Sequence, residues 1–441
     1  MDNKIKNTDS MDDEFIISHI MEKSKSYNSK IENRIKFGTL AEKYCKERLF
    51  LEPNRRALSK LKNENTILIQ SSHGAQLPHL GICRLYIKGG DIARRIGNAL
   101  SLFFIGDQYS SDMYPEVNKI RCLLHGKTKG IGIPIKKEDK YKPIYLLDPP
   151  DKEVIMKVKD KLFDFFISNL NDFIEAYNVN EKKIYKREAI SYFKKNSEEL
   201  VDIMNESSEM TSNYTDWCAR IQLVLLQRIV PELYEEFVVF YPTTWLRELQ
   251  PDWSILSSMY KDINHFKNKI SDEQKRNNET PYAKQPIIET ESPLWHYCPI
   301  CFRKIKGYIS DNEGICYCRC EFCDHEFNPK ITDSISPDII FYQILVPMYL
   351  GINARIVGHI HNYSEVIDRF LKEKLNQIPP DRFVMSSHPV FYGVDAIEGD
   401  HRCSIIKAVI ETELSDLKTG LISEWNENPK IYSYVYKMLK E

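Results

Sequence analysis

The chain has 441 residues, of which 42% are hydrophobic and 28% charged, and this composition is typical of a water-soluble globular protein. The length predicts two or three domains, and the formal net charge of -2 excludes an overall positive field that would recruit nucleic acid. No stretch approaches the ~20 apolar residues of a membrane span, and the polar start at residues 1–15 has no apolar signal core, so we expect a cytoplasmic protein.

The first part of the chain predicts helices followed by a βαβ unit. Residues 1–65 are highly charged and are expected to form an N-terminal helical segment. The apolar run at residues 66–70 predicts a buried strand, residues 91–99 can form a helix, and residues 100–105 predict a second buried strand. A strand, loop, helix and strand in this order are typical of a parallel sheet. Residues 66–150 are therefore expected to form the first half of a parallel-sheet core.

The middle of the chain has a different pattern of apolar residues. Residues 151–290 repeat apolar positions at helical spacing without a strand signal and end in a polar linker at 271–292, so we expect a helical insertion there. A cysteine-rich module is expected at 291–330. The βα pattern returns over 331–441, with a strand from Ala354 to Gly358. The predicted fold class is α/β, a parallel sheet core that is interrupted by a helical insertion and a zinc ribbon.

Six of the 11 cysteines lie between positions 298 and 323, which in a cytoplasmic protein favours metal binding over disulfides. Cys298 and Cys301 form one Cys-x-x-Cys knuckle, Cys320 and Cys323 form another, and 18 residues separate the two. This spacing predicts a structural zinc site, because four thiolates complete a tetrahedron and leave no open position for a substrate. The alternative interpretation is a pair of redox dithiols.

Two further cysteines and several basic residues lie within the same module. Cys316 and Cys318 are either alternative ligands in place of Cys320 or packed thiols. The basic side chains provide a candidate contact surface for RNA, with a solvated hairpin face as the alternative; they are Arg303, Lys304, Lys306 and Arg319.

The loop after the first predicted strand contains the first group of candidate catalytic and binding residues. His73 and His79 can donate to phosphoryl oxygens, and the glycines allow the backbone to approach a ligand. The predicted nucleotide- or substrate-binding positions here are Gly74, Gln76 and Gly81. Residues 79–82, His-Leu-Gly-Ile, resemble the His-Ile-Gly-His signature of class I aminoacyl-tRNA synthetases, with Ile82 in place of the last histidine.

Three more predicted loops contain candidate residues. Gly106, Asp107 and Asp112 follow the second strand, where the two carboxylates are expected to hold an amine or hydroxyl substrate, or else to serve as turn and cap residues. The remaining candidate binding residues are expected on the opposite side of the cleft, with ordinary loop positions as the alternative; they are His359, His361, Asp395 and His401.

The order of these motifs resembles a family. The loop at 71–84, the strand that enters Gly106, and residues 336–343 followed by 354–359 are similar to the cysteine-adding enzyme of bacillithiol biosynthesis. The cysteine-rich module before Gly393-Val-Asp395 and Asp400-His401 is similar to class I lysyl-tRNA synthetases. No Lys-Met-Ser-Lys-Ser match follows. The resemblance implies a class I synthetase-like Rossmann core that binds a nucleotide.

We therefore expect a ligase that forms a C–N bond by joining an amino acid, with cysteine as a candidate, to a second small molecule. Zinc is the expected structural metal, and ATP or another nucleotide is the candidate cofactor. The alternative function is an RNA- or tRNA-linked protein of the same superfamily, with the ribbon as the nucleic-acid contact. Long amphipathic helices are compatible with a homodimer.

Overall fold

The computed structural model describes most of the chain up to residue 384. The described residues are 6–7, 13–25, 30–74, 89–112, 117–124, 127–176, 182–229, 231, 238–242, 253–309, 316–329, 336–337, 339–357 and 363–384.

A six-stranded sheet forms the centre of the fold, and all of its neighbouring strands are parallel. Its strands are β1 (Lys6–Asn7), β2 (Ile67–Gly74), β3 (Ala99–Gly106), β6 (Val238–Pro242), β12 (Ala354–Val357) and β13 (Asp381–Val384). Their spatial order is β1-β13-β12-β2-β3-β6. Strands β3 and β6, which follow β2 in the sequence, lie on one side of β2 in the sheet. The later strands β12 and β13 lie on its other side. The order therefore reverses between β2 and β12.

The two halves of this sheet come from distant parts of the sequence, as predicted. Ala354 is in register with Ile69, and the neighbouring pair Asn353 and Leu68 is 285 positions apart in the sequence. Asn353 fixes this junction, because its backbone N–H donates to the Leu68 carbonyl at 2.9 Å and its side-chain oxygen accepts from the Leu68 N–H at 2.8 Å. The prediction of a discontinuous sheet is confirmed.

Helices cover both faces of the sheet. The helices of the described residues are α1 (Asp13–Ser24), α2 (Ile31–Glu47), α3 (Arg55–Leu61), α4 (Lys152–Ala176), α5 (Lys182–Met210), α6 (Tyr214–Ile229), α7 (Trp253–Arg276), α8 (Ile339–Leu350) and α9 (Ser364–Glu373), together with a short helix at residues 89–96. Phe104 of β3 contacts Phe37 of α2 and Tyr342 of α8. Ser101, three residues earlier, points to the opposite face, where it approaches Gly89.

The structure corrects the prediction of a purely helical insertion at 151–290. Val238–Pro242 is β6, which pairs with β3 at the edge of the central sheet. Periodicity cannot distinguish a five-residue apolar run from a buried piece of helix, and this explains the error. The predicted linker is also shorter than expected, because α7 continues to Arg276.

The cysteine-rich module forms an antiparallel sheet of its own. Its strands are β7 (Glu291–Tyr297), β8 (Lys304–Ile309), β9 (Cys316–Arg319), β10 (Glu326–Phe327) and β11 (Ser336–Pro337), in the order β10-β9-β8-β7-β11. Apolar residues of this sheet share one buried cluster with α7, α8 and α9, and Phe266 of α7 contacts Phe370 of α9 within it. A separate hairpin, β4 (Lys119–Leu124) with β5 (Lys127–Gly132), follows β3.

Among the helices of the described ranges, none combines the length and apolar character that crossing a bilayer requires.

Candidate metal centre and the neighbouring sheet edge

The first cysteine knuckle is a tight turn between β7 and β8. The Cys298 N–H donates to the Arg303 carbonyl at 3.0 Å, and the Phe302 N–H donates back to the Cys298 carbonyl at 2.9 Å. Phe302 has φ 58°, in the left-handed region that few non-glycine residues adopt. The turn thereby presents Cys298 and Cys301 to the same side.

The second knuckle repeats this geometry. The Cys320 N–H donates to the His325 carbonyl at 2.9 Å, and the Asp324 N–H donates to the Cys320 carbonyl at 2.8 Å. Asp324, which follows Cys323 as Phe302 follows Cys301, also has φ 58°. Two segments with different side chains therefore adopt the same strained turn, and the feature they share is the Cys-x-x-Cys pattern.

The four thiols converge on one point. All four sulfur atoms, those of Cys298, Cys301, Cys320 and Cys323, lie within 4.8 Å of one another. Cys298 Sγ is 3.5 Å from Cys323 Sγ, and Cys301 Sγ is 3.4 Å from Cys320 Sγ. A tetrahedral zinc with Zn–S bonds of about 2.3 Å needs sulfur–sulfur separations of roughly this size. The cluster can therefore hold a metal ion such as zinc, and the prediction of four converging cysteines is confirmed.

Backbone donors favour the thiolate form of one of the four cysteines, Cys320, whereas burial raises the pKa of its neighbour Cys301 to about 12. Burial opposes ionisation of Cys320, but N–H groups of Phe322 and Cys323 and the neighbouring thiols lower its pKa to about 7. Metal binding requires deprotonated cysteine, and N–H groups directed at sulfur stabilise that form. The donor set and its surroundings fit a thiolate-bound metal.

Cys316 and Cys318 are packed thiols. Both are fully buried in the apolar cluster of the module, and neither belongs to the converging group. Burial raises the pKa of Cys318 to about 12. A β-carbon on Gly307 would lie 2.6 Å from Cys318 Sγ, so glycine is needed at 307 for this close packing.

The basic side chains of the module are engaged within the chain. The Arg303 guanidinium lies 4.0 Å from the ring centres of both Tyr141 and Phe322, and its Nη2 donates to the Tyr141 hydroxyl at 2.8 Å. Lys304 and Lys306 lie over the Trp295 ring, at 4.5 and 4.7 Å. The fourth basic residue, Arg319, pairs with Asp324 and Glu326.

The module is attached to the carboxyl edge of the central sheet. The Tyr297 hydroxyl donates to the main-chain carbonyl of Gln108, two residues after β3, and Tyr145 packs edge-on against the Tyr297 ring. The pKa of Tyr297 is raised above its usual range by burial and by the charges of Tyr145, Asp107 and Tyr109. Because Cys298 is the next residue, the cluster of four cysteines adjoins this edge.

Several predicted residues lie at that edge. Gly74 is in register with Gly106, and His73 with Ile105, so β2 and β3 end side by side. Asp107, directly after β3, is 1% exposed. Its charge also reaches the buried phenols of Tyr44 and Tyr342, whose pKa values are raised chiefly by burial.

Asp112 occupies a different environment from Asp107. It is exposed, it pairs with Lys140 at 3.1 Å, and its N–H donates to the Lys140 carbonyl. The two carboxylates that were predicted together therefore have separate surroundings. Other predicted residues lie outside the described residues: His79, Gln76, Gly81, His359, His361, Asp395 and His401. For His73 only the backbone is described.

A buried polar cluster beneath α8 and α9 was not predicted from the sequence. Arg355, the second residue of β12, is 3% exposed, and its Nε donates to Gln70 Oε1 at 3.1 Å. Its Nη1 and Nη2 donate to the side chain and the carbonyl of Gln343, at 2.9 and 2.6 Å. The only available signal was an arginine within an otherwise apolar strand sequence.

The sequence matches no protein-family model and no curated protein.

Proposed function

We propose that this protein is a nucleotide-dependent ligase with a class I synthetase-like, Rossmann-like core. It activates the carboxyl group of an amino acid and joins it to the amine of a second small molecule. In the first step an amino-acid carboxylate oxygen attacks the α-phosphate of ATP and pyrophosphate leaves. In the second step the amine attacks the activated carboxyl carbon, the C–N bond forms, and AMP leaves with the bridging oxygen.

The strand order is the observation on which this proposal depends. In chain order, the strands β2, β3, β6, β12 and β13 have the spatial arrangement 3-2-1-4-5 of a doubly wound dinucleotide-binding sheet. Ligands of such sheets bind at the carboxyl ends of the strands, where the order reverses. Here that reversal lies between β2 and β12, beside the Gly74–Gly106 pair and Asp107.

Within this proposal, Asp107 holds the amino group of the amino-acid substrate, since its carboxylate is buried directly at the strand end. The cysteine cluster has a structural role, because its four ligands leave no open position. The RNA-linked alternative receives less support. Arg303, Lys304 and Lys306 already lie over aromatic rings of the chain itself, so their charges are less available to contact phosphate groups.

Amino-acid-dependent exchange of labelled pyrophosphate into ATP tests the reaction. The full chain is incubated with ATP, labelled pyrophosphate and single amino acids, including cysteine. We expect exchange with a small subset of amino acids. No exchange with any of them, together with no detectable ATP binding by calorimetry, would contradict the proposal.

Asp107→Asn tests the assignment of the carboxylate. We expect the exchange rate to fall by roughly 10- to 100-fold, because a charged hydrogen bond to the substrate is lost. Asp272→Asn is the control, since Asp272 lies on α7 in an exposed ion pair with Lys275. Unchanged exchange in a folded Asp107→Asn variant would remove Asp107 from the site.

An RNA filter-binding titration at increasing salt distinguishes the alternative function. Phosphate contacts make log affinity fall linearly with log salt concentration. Tight binding with a steep salt slope, in the absence of pyrophosphate exchange, would favour the RNA-linked function.

A further inference from the structure

The guanidinium of Arg355 is buried among neutral partners. All three of its nitrogens donate to Gln70 or Gln343, and no carboxylate of the described part of the chain bonds to it. Burial, and then the nearby Arg382, lower the pKa of Arg355 to about 9. Taking a charge out of water costs several kcal/mol unless a counter-charge compensates.

A second guanidinium lies on the next strand. Arg382 of β13 is in register with Arg355, its Nη1 pairs with Asp368 of α9, and its side chain is 9% exposed. Arg382 Nη2 and Asp368 Oδ1 are both buried and have no hydrogen-bond partner within the described ranges. The charge of Asp368 also acts on Arg355, where it raises the pKa of the guanidinium. Among the described residues, this one carboxylate therefore lies within electrostatic reach of two guanidinium groups.

The hydroxyl of Tyr342 is a further polar group at this cluster. It lies beside the Gln70 side chain, but it makes no hydrogen bond of good geometry to the described residues. Arg355 and Asp107 both act on its pKa, in opposite directions. Tyr342 therefore lies within electrostatic reach of both the arginine cluster and the carboxylate at the strand end.

Buried polar groups in native proteins are almost always paired, and an unpaired one commonly marks a missing ion, water or ligand. This cluster combines an excess of positive charge with two unsatisfied donors, Arg382 Nη2 and Tyr342 Oη. An oxyanion supplies both the counter-charge and the acceptor oxygens that these donors need.

We propose that Arg355, Arg382 and Tyr342 form a binding site for an oxyanion, a carboxylate or phosphate group of a small molecule. The site lies between the sheet and helices α8 and α9, next to the reversal of strand order. It differs from the metal centre and does not depend on the proposed ligase reaction.

Tyr342→Phe is the most direct test, because it removes one unsatisfied hydroxyl and keeps the ring. We expect the ligand-free variant to be as stable as the wild type or slightly more stable, since a buried unpaired group is lost. Its affinity for the anion should fall by about tenfold, the effect of one charged hydrogen bond.

Tyr214→Phe is the matched control. Tyr214 is also buried, but its hydroxyl donates to the Val117 carbonyl at 3.0 Å. This variant should lose stability and keep the affinity for the anion.

The probes are inorganic phosphate, ATP, cysteine and cysteamine, each titrated calorimetrically into the full chain. Binding of phosphate or ATP but not cysteine identifies a phosphoryl group as the ligand. Binding of cysteine but not cysteamine, which lacks the carboxylate, identifies a carboxylate. Equal binding of cysteine and cysteamine, with no response to phosphate or ATP, overturns the proposal.

Asp368→Asn changes the affinity in the opposite direction. Asp368 competes with a bound anion for Arg382, so neutralising it should tighten anion binding by several-fold. Anion affinities that change neither in Tyr342→Phe nor in Asp368→Asn, with both variants folded, would overturn the site. Pyrophosphate exchange is measured separately, so the site and the ligase reaction can fail independently.

Discussion

Tyr297 joins the cysteine-rich module to the central sheet through a hydrogen bond from its hydroxyl to the carbonyl of Gln108. Tyr297 directly precedes Cys298, one of the four converging cysteines, and Gln108 directly follows the buried Asp107. One side chain thus links the two parts of the molecule in which we place its function.

Tyr297→Phe should weaken this attachment without disturbing either part. We expect the free energy of unfolding to fall by about 1 kcal/mol, because the Gln108 carbonyl loses this donor in a partly buried environment. Hydrogen exchange should become faster in a peptide that covers residues 105–112. Tyr308→Phe is the control, since Tyr308 is 43% exposed. If hydrogen exchange in that peptide is unchanged, the bond between Tyr297 and Gln108 does not stabilise the carboxyl end of β3.

Metal content should follow the four converging cysteines and no others. We expect elemental analysis to return about one zinc per chain. Cys298→Ser should lower both the zinc content and the melting temperature, because a ligand is lost from a closed site. Cys318→Ser provides the matched control: Cys318 lies in the same module but packs in the apolar cluster. Zinc loss in Cys318→Ser without unfolding would require a different ligand set.

The metal centre was predictable because its chemistry is local in the sequence. Two short Cys-x-x-Cys turns determine the positions of all four converging thiols, and the structure repeats one turn geometry at both. The halves of the sheet were also predictable, since runs such as residues 100–105 are too apolar to lie anywhere but in a core.

Other features depend on contacts between distant residues and had no local signal. Strand β6 could not be predicted because a five-residue apolar run has no period that distinguishes strand from helix. The different surroundings of Asp107 and Asp112 follow from Lys140, which pairs with Asp112 from 28 positions further along. The Arg355 cluster could not be predicted either, because Arg355 bonds to Gln70, which lies 285 residues away in the sequence.

Arg303→Lys should destabilise the attachment of the module from a second side. The planar guanidinium of Arg303 stacks between Tyr141 and Phe322, each 4.0 Å away, and an ammonium group cannot stack on two rings in this way. We expect a loss of about 1–2 kcal/mol in chemical denaturation. Arg319→Lys is the comparison, because Arg319 is exposed and pairs with its acidic neighbours Asp324 and Glu326. Equal effects of the two substitutions would show that charge, and not stacking, matters at 303.

The contact between α7 and α9 should depend on pH. Glu273 of α7 has a pKa below its usual range, because it accepts a hydrogen bond from Arg369 of α9 even though slight burial opposes ionisation. A carboxylate with a lowered folded-state pKa stabilises the fold above its unfolded pKa of about 4.3. That contribution is lost as the pH falls through the lowered value.

Glu273→Gln should therefore destabilise the protein at pH 7 and lose its effect in acid. Since both partners are partly exposed, we expect a difference of about 0.5–1 kcal/mol at pH 7, measured by urea denaturation. The difference from the wild type should shrink steadily below about pH 4.3, where the carboxylate of the unfolded chain becomes protonated. Asp272→Asn lies on the same helix, but Asp272 pairs with Lys275 of its own helix, so this variant should show a smaller difference. A gap between wild type and Glu273→Gln that stays constant through the acid range would mean that packing of the side chain, and not its charge, joins the two helices.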